Sequence, residues 1–233
     1  MLAHGEPPLP IGVAGRVKYQ IVQRMNPSIF LFLCSSFADV APLLEQACPM
    51  ELREKVVTFI PTASIPESYT GYVGLGREAL EQLGLRVEPL DVAEASAEEI
   101  EASLSRGDLI YISGGNAFYL LQELKRKGAD KLIQREIERG KPYIGESAGS
   151  VILAPSIEYV QLMDETQAAP ELTSFAALGL IEKYPLPHYR CFPFVEMAET
   201  VLATYGGRLS LVPITNHQAI IVRGRELTIV TKE

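Results

Sequence analysis

Cysteine is scarce and odd in number. Cys34, Cys48 and Cys191 stand far apart in 233 residues, with no CxxC pair. A disulfide framework or a cysteine-rich zinc cluster is therefore not expected, and a reducing cytoplasm suits such a chain. Positive charge is also short: 21 Lys and Arg against 29 Asp and Glu leave a net charge of -8 and a pI near 5.1. With no basic stripe available, neither nucleic acid nor an anionic membrane surface is expected as a partner. Long apolar runs are missing, since the strongest early one, Ile29-Phe30-Leu31-Phe32-Leu33-Cys34, is far too short to span a bilayer. Neither GxGxxG nor P-loop spacing occurs, which removes the usual dinucleotide and nucleotide cradles. Histidine numbers three, His4, His188 and His217, so an imidazole base has few places to be.

What remains is apolar: 47% of the chain is hydrophobic, enough core for one large domain. Residues 1–24 read unlike the rest, with Pro7, Pro8 and Pro10, weak periodicity and no apolar stretch after a basic start. They are expected to be a leader or tail without ordered packing and no signal peptide, with Met25 as the natural start. Residues 25–233 are then a single α/β domain. Strands are predicted over 29–35, 55–60, 85–91 and 108–113. Helices are predicted over 38–47, 68–82, 97–105, 117–127 and 129–139. Strands apolar on both faces that alternate with helices mean a mostly parallel sheet sandwiched by helices. After Pro155 the pattern loosens: strands are predicted over 157–163, 180–184 and 209–214, a helix over 194–205, and a C-terminal hairpin of 218–223 and 226–231 across Gly224. Repeats and low-complexity segments are absent. Ligands of such sheets sit beyond the carboxyl ends of the strands.

One of those ends carries Tyr143-Ile144-Gly145-Glu146-Ser147-Ala148-Gly149-Ser150. Gly-x-Ser-x-Gly at a strand-to-helix turn is a nucleophile elbow, which lifts the serine hydroxyl out of the sheet. The Ala148 N–H would point at the place where an oxyanion forms. A serine nucleophile needs a base. His188, in the stiff loop Tyr184-Pro185-Leu186-Pro187-His188-Tyr189-Arg190, is the better candidate; His217 reads as a surface or half-buried strand residue and His4 falls in the leader. The group that orients the imidazole is either Asp164, giving the order Ser, Asp, His, or Asn216, a polar residue ending a strand near the same edge. Glu146, beside the serine, is a further candidate contact, or else an exposed charge. Gly114-Gly115-Asn116 follows the 108–113 strand and either supplies a second oxyanion N–H or forms a plain turn with Asn116 as helix N-cap.

These stretches resemble a known family. Phe59-Ile60-Pro61-Thr62-Ala63, Ile112-Ser113-Gly114-Gly115-Asn116-Ala117-Phe118, the elbow, Pro187-His188 and Asn216-His217-Gln218-Ala219 are similar, in that order, to the peptidase E family of serine peptidases. The likeness runs over about residues 28–232. That family includes aspartyl dipeptidases and, more distantly, cyanophycinases, and has a fold like class I glutamine amidotransferases. The resemblance implies Ser147 as nucleophile, His188 as base, and the backbone of Gly115 and Ala148 as oxyanion donors. It also implies an acyl-enzyme, a small peptide as substrate and no metal or organic cofactor. Asn116, Glu146 and Arg190 are the candidate substrate contacts. Two departures stand out. Many relatives carry an acidic residue just before the Gln-Ala pair, where this chain has Asn216-His217. The arginine-rich stretch that receives the substrate aspartate in aspartyl dipeptidases is reduced here to Arg190, followed by Cys191-Phe192-Pro193-Phe194. A carboxylate side chain wants a well-placed cation, so a different or broader preference is expected. The alternatives are another amide hydrolase, nearer cyanophycinases, and a catalytically weak binding or regulatory protein on the same fold. The chain is expected to be a monomer, or a homodimer paired through its last hairpin.

Overall fold

In the computed structural model, residues 17–20 and 28–232 are described. Their elements follow the alternation of the sequence. β1 is Val17–Gln20, β2 Phe30–Cys34, α1 Phe37–Ala47, β3 Val56–Ile60, α2 Gly71–Gln82 and β4 Arg86–Pro89. Next come α3 Ala97–Arg106, β5 Leu109–Ile112, α4 Ala117–Lys127, α5 Ala129–Glu138, β6 Tyr143–Glu146 and the single turn α6 Ala148–Val151. β7 Tyr184–Leu186, α7 Val195–Tyr205, β8 Leu211–Pro213, β9 Gln218–Arg223 and β10 Glu226–Thr231 complete the chain.

Eight strands form one sheet in the order β4-β3-β5-β6-β2-β9-β10-β1. The five from β4 to β2 are parallel, and the hairpin β9–β10 adds antiparallel to β2. The alternation of side chains across the pleat explains why β2 is apolar throughout. Phe30, Phe32 and Cys34 enter one core with Phe37, Leu44, Tyr111 and Ile144, while Leu31 and Leu33 enter the other with Ile110, Ile112, Tyr143 and Ile152. Helix starts obey local chemistry: Ser96 and Glu99 close a capping box on α3, and Asn116 Oδ1 accepts the Tyr119 N–H on α4. Among the described residues no helix is long and apolar enough to cross a membrane.

Three expectations change. Val17–Gln20, inside the expected leader, is an edge strand paired antiparallel with β10; residues 1–16 and 21–24 lie outside the described residues. The 157–163 strand is instead a 3-10 turn at Glu158–Val160, in which buried Tyr159 and Val160 satisfy a core without a partner strand. The 180–184 strand begins later, as β7, and pairs with β8 in a separate two-stranded parallel sheet.

The register positions the site. Leu33 of β2 and Ile112 of β5 both face Gly145 of β6, so three carboxyl ends finish side by side. Because β9 runs antiparallel to β2, its first residues meet the last residues of β2, Ala219 opposite Cys34. That reversal brings the segment before β9 to the edge where β6 ends. The small parallel pair delivers a third loop there, since Leu186 lies opposite Pro213.

Candidate active site

Ser147 follows β6 with φ 46 and ψ -105, a left-handed backbone that few L-residues adopt. Its N–H donates to Cys34 O at 2.9 Å, which ties the elbow to the end of β2. Both flanking glycines are required by close approach: a Cβ on Gly145 would meet Gly149 O at 2.5 Å, and one on Gly149 would meet Ile112 O at 2.3 Å. Ser150 Oγ lies 2.7 Å from Gly145 O and 2.9 Å from Cys34 O, and the Tyr143 hydroxyl donates to Gly149 O at 2.6 Å. The turn is thus held from both sides while Ser147 itself stays half-buried, with its hydroxyl facing a cavity of about 630 Å³.

His188 reaches the same cavity from the loop after β7, also at positive φ, 59°. Its Nε2 stands 3.0 Å from Ser147 Oγ, and its Nδ1 stands 2.9 Å from Asn216 Oδ1. With Asn216 accepting the Nδ1 proton, Nε2 is left as the acceptor for the serine hydroxyl. The ring stacks on Phe194, centroids 4.6 Å apart. Burial holds the His188 pKa below its ordinary 6.5, partly offset by the Asn216 bond. The imidazole is therefore neutral at pH 7, the form that can take a proton.

Ser35 holds the two loops together. Its Oγ donates to Ile214 O at 3.1 Å and accepts the His188 N–H at 3.0 Å. Cys191 Sγ accepts the Asn216 N–H at 3.3 Å. Neither residue carries a sequence signal: Ser35 follows an apolar run as any strand-ending serine would, and its partners are 153 and 179 residues away. The Gly114-Gly115 turn packs against the nucleophile, as a Cβ on Gly114 would lie 3.3 Å from Ser147 Cβ. Neither the Gly115 N–H nor the Ala148 N–H has a hydrogen-bond partner among the described residues.

Of the two candidates for the orienting group, Asn216 meets the imidazole and Asp164 does not. Asp164 Oδ2 instead accepts the Ala117 N–H at 2.9 Å, at the start of α4, and its pKa is pushed up to about 7 by desolvation, with Glu67 adding to the shift. Asp164 still lines the cavity. Asn116 also lines it, but both ends of its amide are engaged, by Tyr119 N–H and by Glu165 O. Arg190 is exposed, 3.8 Å from Glu199 and over the Tyr189 ring, and is not part of the cavity wall. His217 is exposed, and His4 lies outside the described residues.

Glu146 is neither an exposed charge nor a free substrate contact. It is buried and accepts from Phe37 N at 2.8 Å, the Tyr111 hydroxyl at 2.7 Å and Gly114 N at 3.4 Å. Its carboxylate joins α1, β5 and the glycine turn beneath the elbow. Glu146→Gln would turn an amide NH2 toward one of those donors, so a loss of about 1–3 kcal/mol is expected. Thermal unfolding measures it, and an unchanged Tm would refute the structural role. Among the described residues no group of three or more His, Cys, Asp or Glu is placed to hold a metal.

The sequence and the fold both match known proteins. Residues 31–230 match the model of peptidase family S51. An uncharacterized peptidase of Listeria monocytogenes is 53% identical over 197 residues, covering 84% of this chain and 96% of its own. Peptidase E of Shewanella denitrificans is 32% identical over 163 residues, covering 68% and 66%. A crystal structure of a peptidase E candidate from Listeria monocytogenes superposes with a TM-score of 0.85 at 50% identity, over 88% of this chain and 99% of that one. The structure of a peptidase from an acI-B1 Actinobacterium, at 21% identity, shares the fold with a TM-score of 0.63 over 87% of each chain. With an elbow serine beside an imidazole and this match along nearly its whole α/β unit, the chain belongs to peptidase family S51, the peptidase E family, and is a serine-type peptidase.

Proposed function

We propose that the enzyme hydrolyses short peptides through an acyl-enzyme on Ser147, with His188 as base, Asn216 as the orienting group and Gly115 and Ala148 as oxyanion donors. The observation that carries this reading is the run Ser147 Oγ, His188 Nε2 and Nδ1, Asn216 Oδ1, at 3.0 and 2.9 Å, opening on one cavity. Ser147 Oγ attacks the peptide carbonyl as Nε2 takes its proton. The new C–O bond pushes charge onto the carbonyl oxygen, where two unpartnered N–H groups lower the barrier. The imidazolium returns its proton to the leaving amine, and water repeats the sequence to release the acid. Asn216 fixes the tautomer without adding charge, so the imidazolium gains less than it would from a carboxylate. Free Cys34, Cys48 and Cys191 favour a reducing, cytoplasmic setting.

The direct test is labelling with a serine-directed acylating probe, read by mass spectrometry of the elbow peptide. Wild type acquires the adduct on Ser147 and Ser147→Ala does not; an unlabelled wild type would sink the reading.

The pH profile tests the base. A depressed imidazole pKa keeps the neutral form present at pH 7, so the limb that His188 gives kcat/KM lies below 6.5, apart from Asp164, which titrates at about 7 in the same cavity wall. Asn216→Asp places a negative charge beside Nδ1, which favours the imidazolium and moves this acid limb upward. A limb that stays in place in Asn216→Asp would show that His188 is not the group being titrated.

A further inference from the structure

The wall of the Ser147 cavity has a charge of one sign. Glu67, Asp164 and Glu165 line it, and among the described residues no lysine or arginine does. No ion pair reaches any of these three carboxylates among the described residues. Asp164 uses one oxygen on the Ala117 N–H, and Glu165 engages Asn116 only through its backbone carbonyl. The fourth lining carboxylate, Glu146, is committed to Phe37, Tyr111 and Gly114. The three carboxyl groups also feel one another: desolvation first, and then Glu165, raises the Glu67 pKa, and desolvation first, then Glu67, raises that of Asp164, which the Ala117 N–H partly offsets. Such a wall attracts a cation and repels the carboxylate of an aspartyl substrate.

Two further features fit a cation on an alkyl stem. Tyr72 lines the same cavity, and its hydroxyl is buried with no hydrogen-bond partner among the described residues. Its ring lies against the glycine turn, 3.4 Å from where a Gly114 Cβ would stand. Val160, Met163 and Ala168 give the cavity apolar surface on which methylenes can pack. Arg190, the cation that sequence pointed to, is outside and committed to Glu199.

We propose that the cavity selects short peptides carrying a basic side chain, lysine or arginine, whose stem packs on Val160, Met163 and Ala168 and whose charged head is received by Glu67, Asp164 and Glu165. This rests on the reading of Ser147 and His188 as the reacting pair. The peptide's own amino terminus offers the same ammonium chemistry, so the experiment separates the two sources.

The experiment measures kcat/KM for dipeptides differing only in the first residue, lysine, arginine, its uncharged isostere norleucine, or aspartate, each with a free and an acetylated amino terminus. The basic peptides are expected to exceed the aspartyl peptide by at least about 100-fold and norleucine by about 10-fold or more. The preference should shrink about 10-fold or more in Glu67→Gln/Glu165→Gln. Asp164→Asn should shrink it too, while its side-chain oxygen still accepts the Ala117 N–H. Lysine no better than norleucine, or aspartate favoured, would overturn the proposal. A preference that vanishes on acetylation would assign the wall to the amino terminus and overturn the side-chain assignment. Calorimetric binding of the same dipeptides to Ser147→Ala needs no turnover. Lysine-selective binding there without wild-type hydrolysis would sink the peptidase mechanism alone, whereas hydrolysis without charge preference would sink this inference alone.

Discussion

Ser147→Ala is expected to lower kcat/KM for a turned-over dipeptide by about 10⁴-fold or more, with His188→Ala close behind and the double variant little worse than either. The non-additivity follows from geometry. The two side chains meet at 3.0 Å and act on one proton, so once either is gone the other has nothing to transfer or receive. Activity that survives comes from cavity binding and the oxyanion donors alone. The fold should not suffer, because the backbone of residue 147 keeps its bond to Cys34 O and the side chain is not what holds the turn. Steady-state kinetics paired with thermal unfolding read both quantities. A Ser147→Ala protein with more than about a tenth of the wild-type rate would place the nucleophile elsewhere, since loss of a covalent step cannot be so mild.

Gly115→Ala should be the most damaging change that touches no reacting side chain. Gly115 has φ +132, a conformation L-residues rarely adopt, and its Cβ would stand 2.2 Å from Ala63 O and 2.6 Å from Ser64 N. These are backbone atoms, and Ala63 O already accepts the Asn116 N–H at 2.8 Å, so the turn must move and that bond must stretch. If Gly115 donates to the oxyanion, displacing its N–H costs about 10²–10³ in kcat, and the strained backbone costs on the order of 1–3 kcal/mol of stability. Gly128→Ala is the control. It shares a positive φ, +70, but an added Cβ meets nothing within 4 Å, so strain appears without the clash and kcat should stay at the wild-type value. A Gly115→Ala enzyme with wild-type kcat would remove that N–H from the mechanism.

Much of the fold was legible because burial on two faces leaves a plain mark. Phe30 to Cys34, Val56 to Ile60 and Leu109 to Ile112 are buried at every position and apolar at all but Thr58, as a strand covered on both sides requires. The helix from Ala117 to Lys127 and the hairpin of Gln218–Arg223 and Glu226–Thr231 were readable to the residue, the first from an N-cap asparagine and the second from alternation across a glycine. Residues 157–163 misled because a stretch rich in Ile, Tyr, Val and Leu has the same composition whether a neighbouring strand or a core covers it. Glu146 misled because a charge beside a nucleophile reads as functional, while its three donors come from positions 37, 111 and 114.

By itself, the sequence determined the parallel α/β sheet, the elbow at Ser147 and the short list of histidines from which a base could come. Those rest on local causes: glycine where backbone approaches backbone, apolar periodicity and the rarity of imidazole. Tertiary structure decided between Asp164 and Asn216 as the partner of His188, moved Arg190 out of the cavity and gathered Glu67, Asp164 and Glu165 within it. These depend on strand direction and on loops meeting from distant parts of the chain. The antiparallel run of β9 brings Asn216 to the end of β2, Ser35 clips the His188 loop beside it, and α4 takes Asp164 for its own first turn.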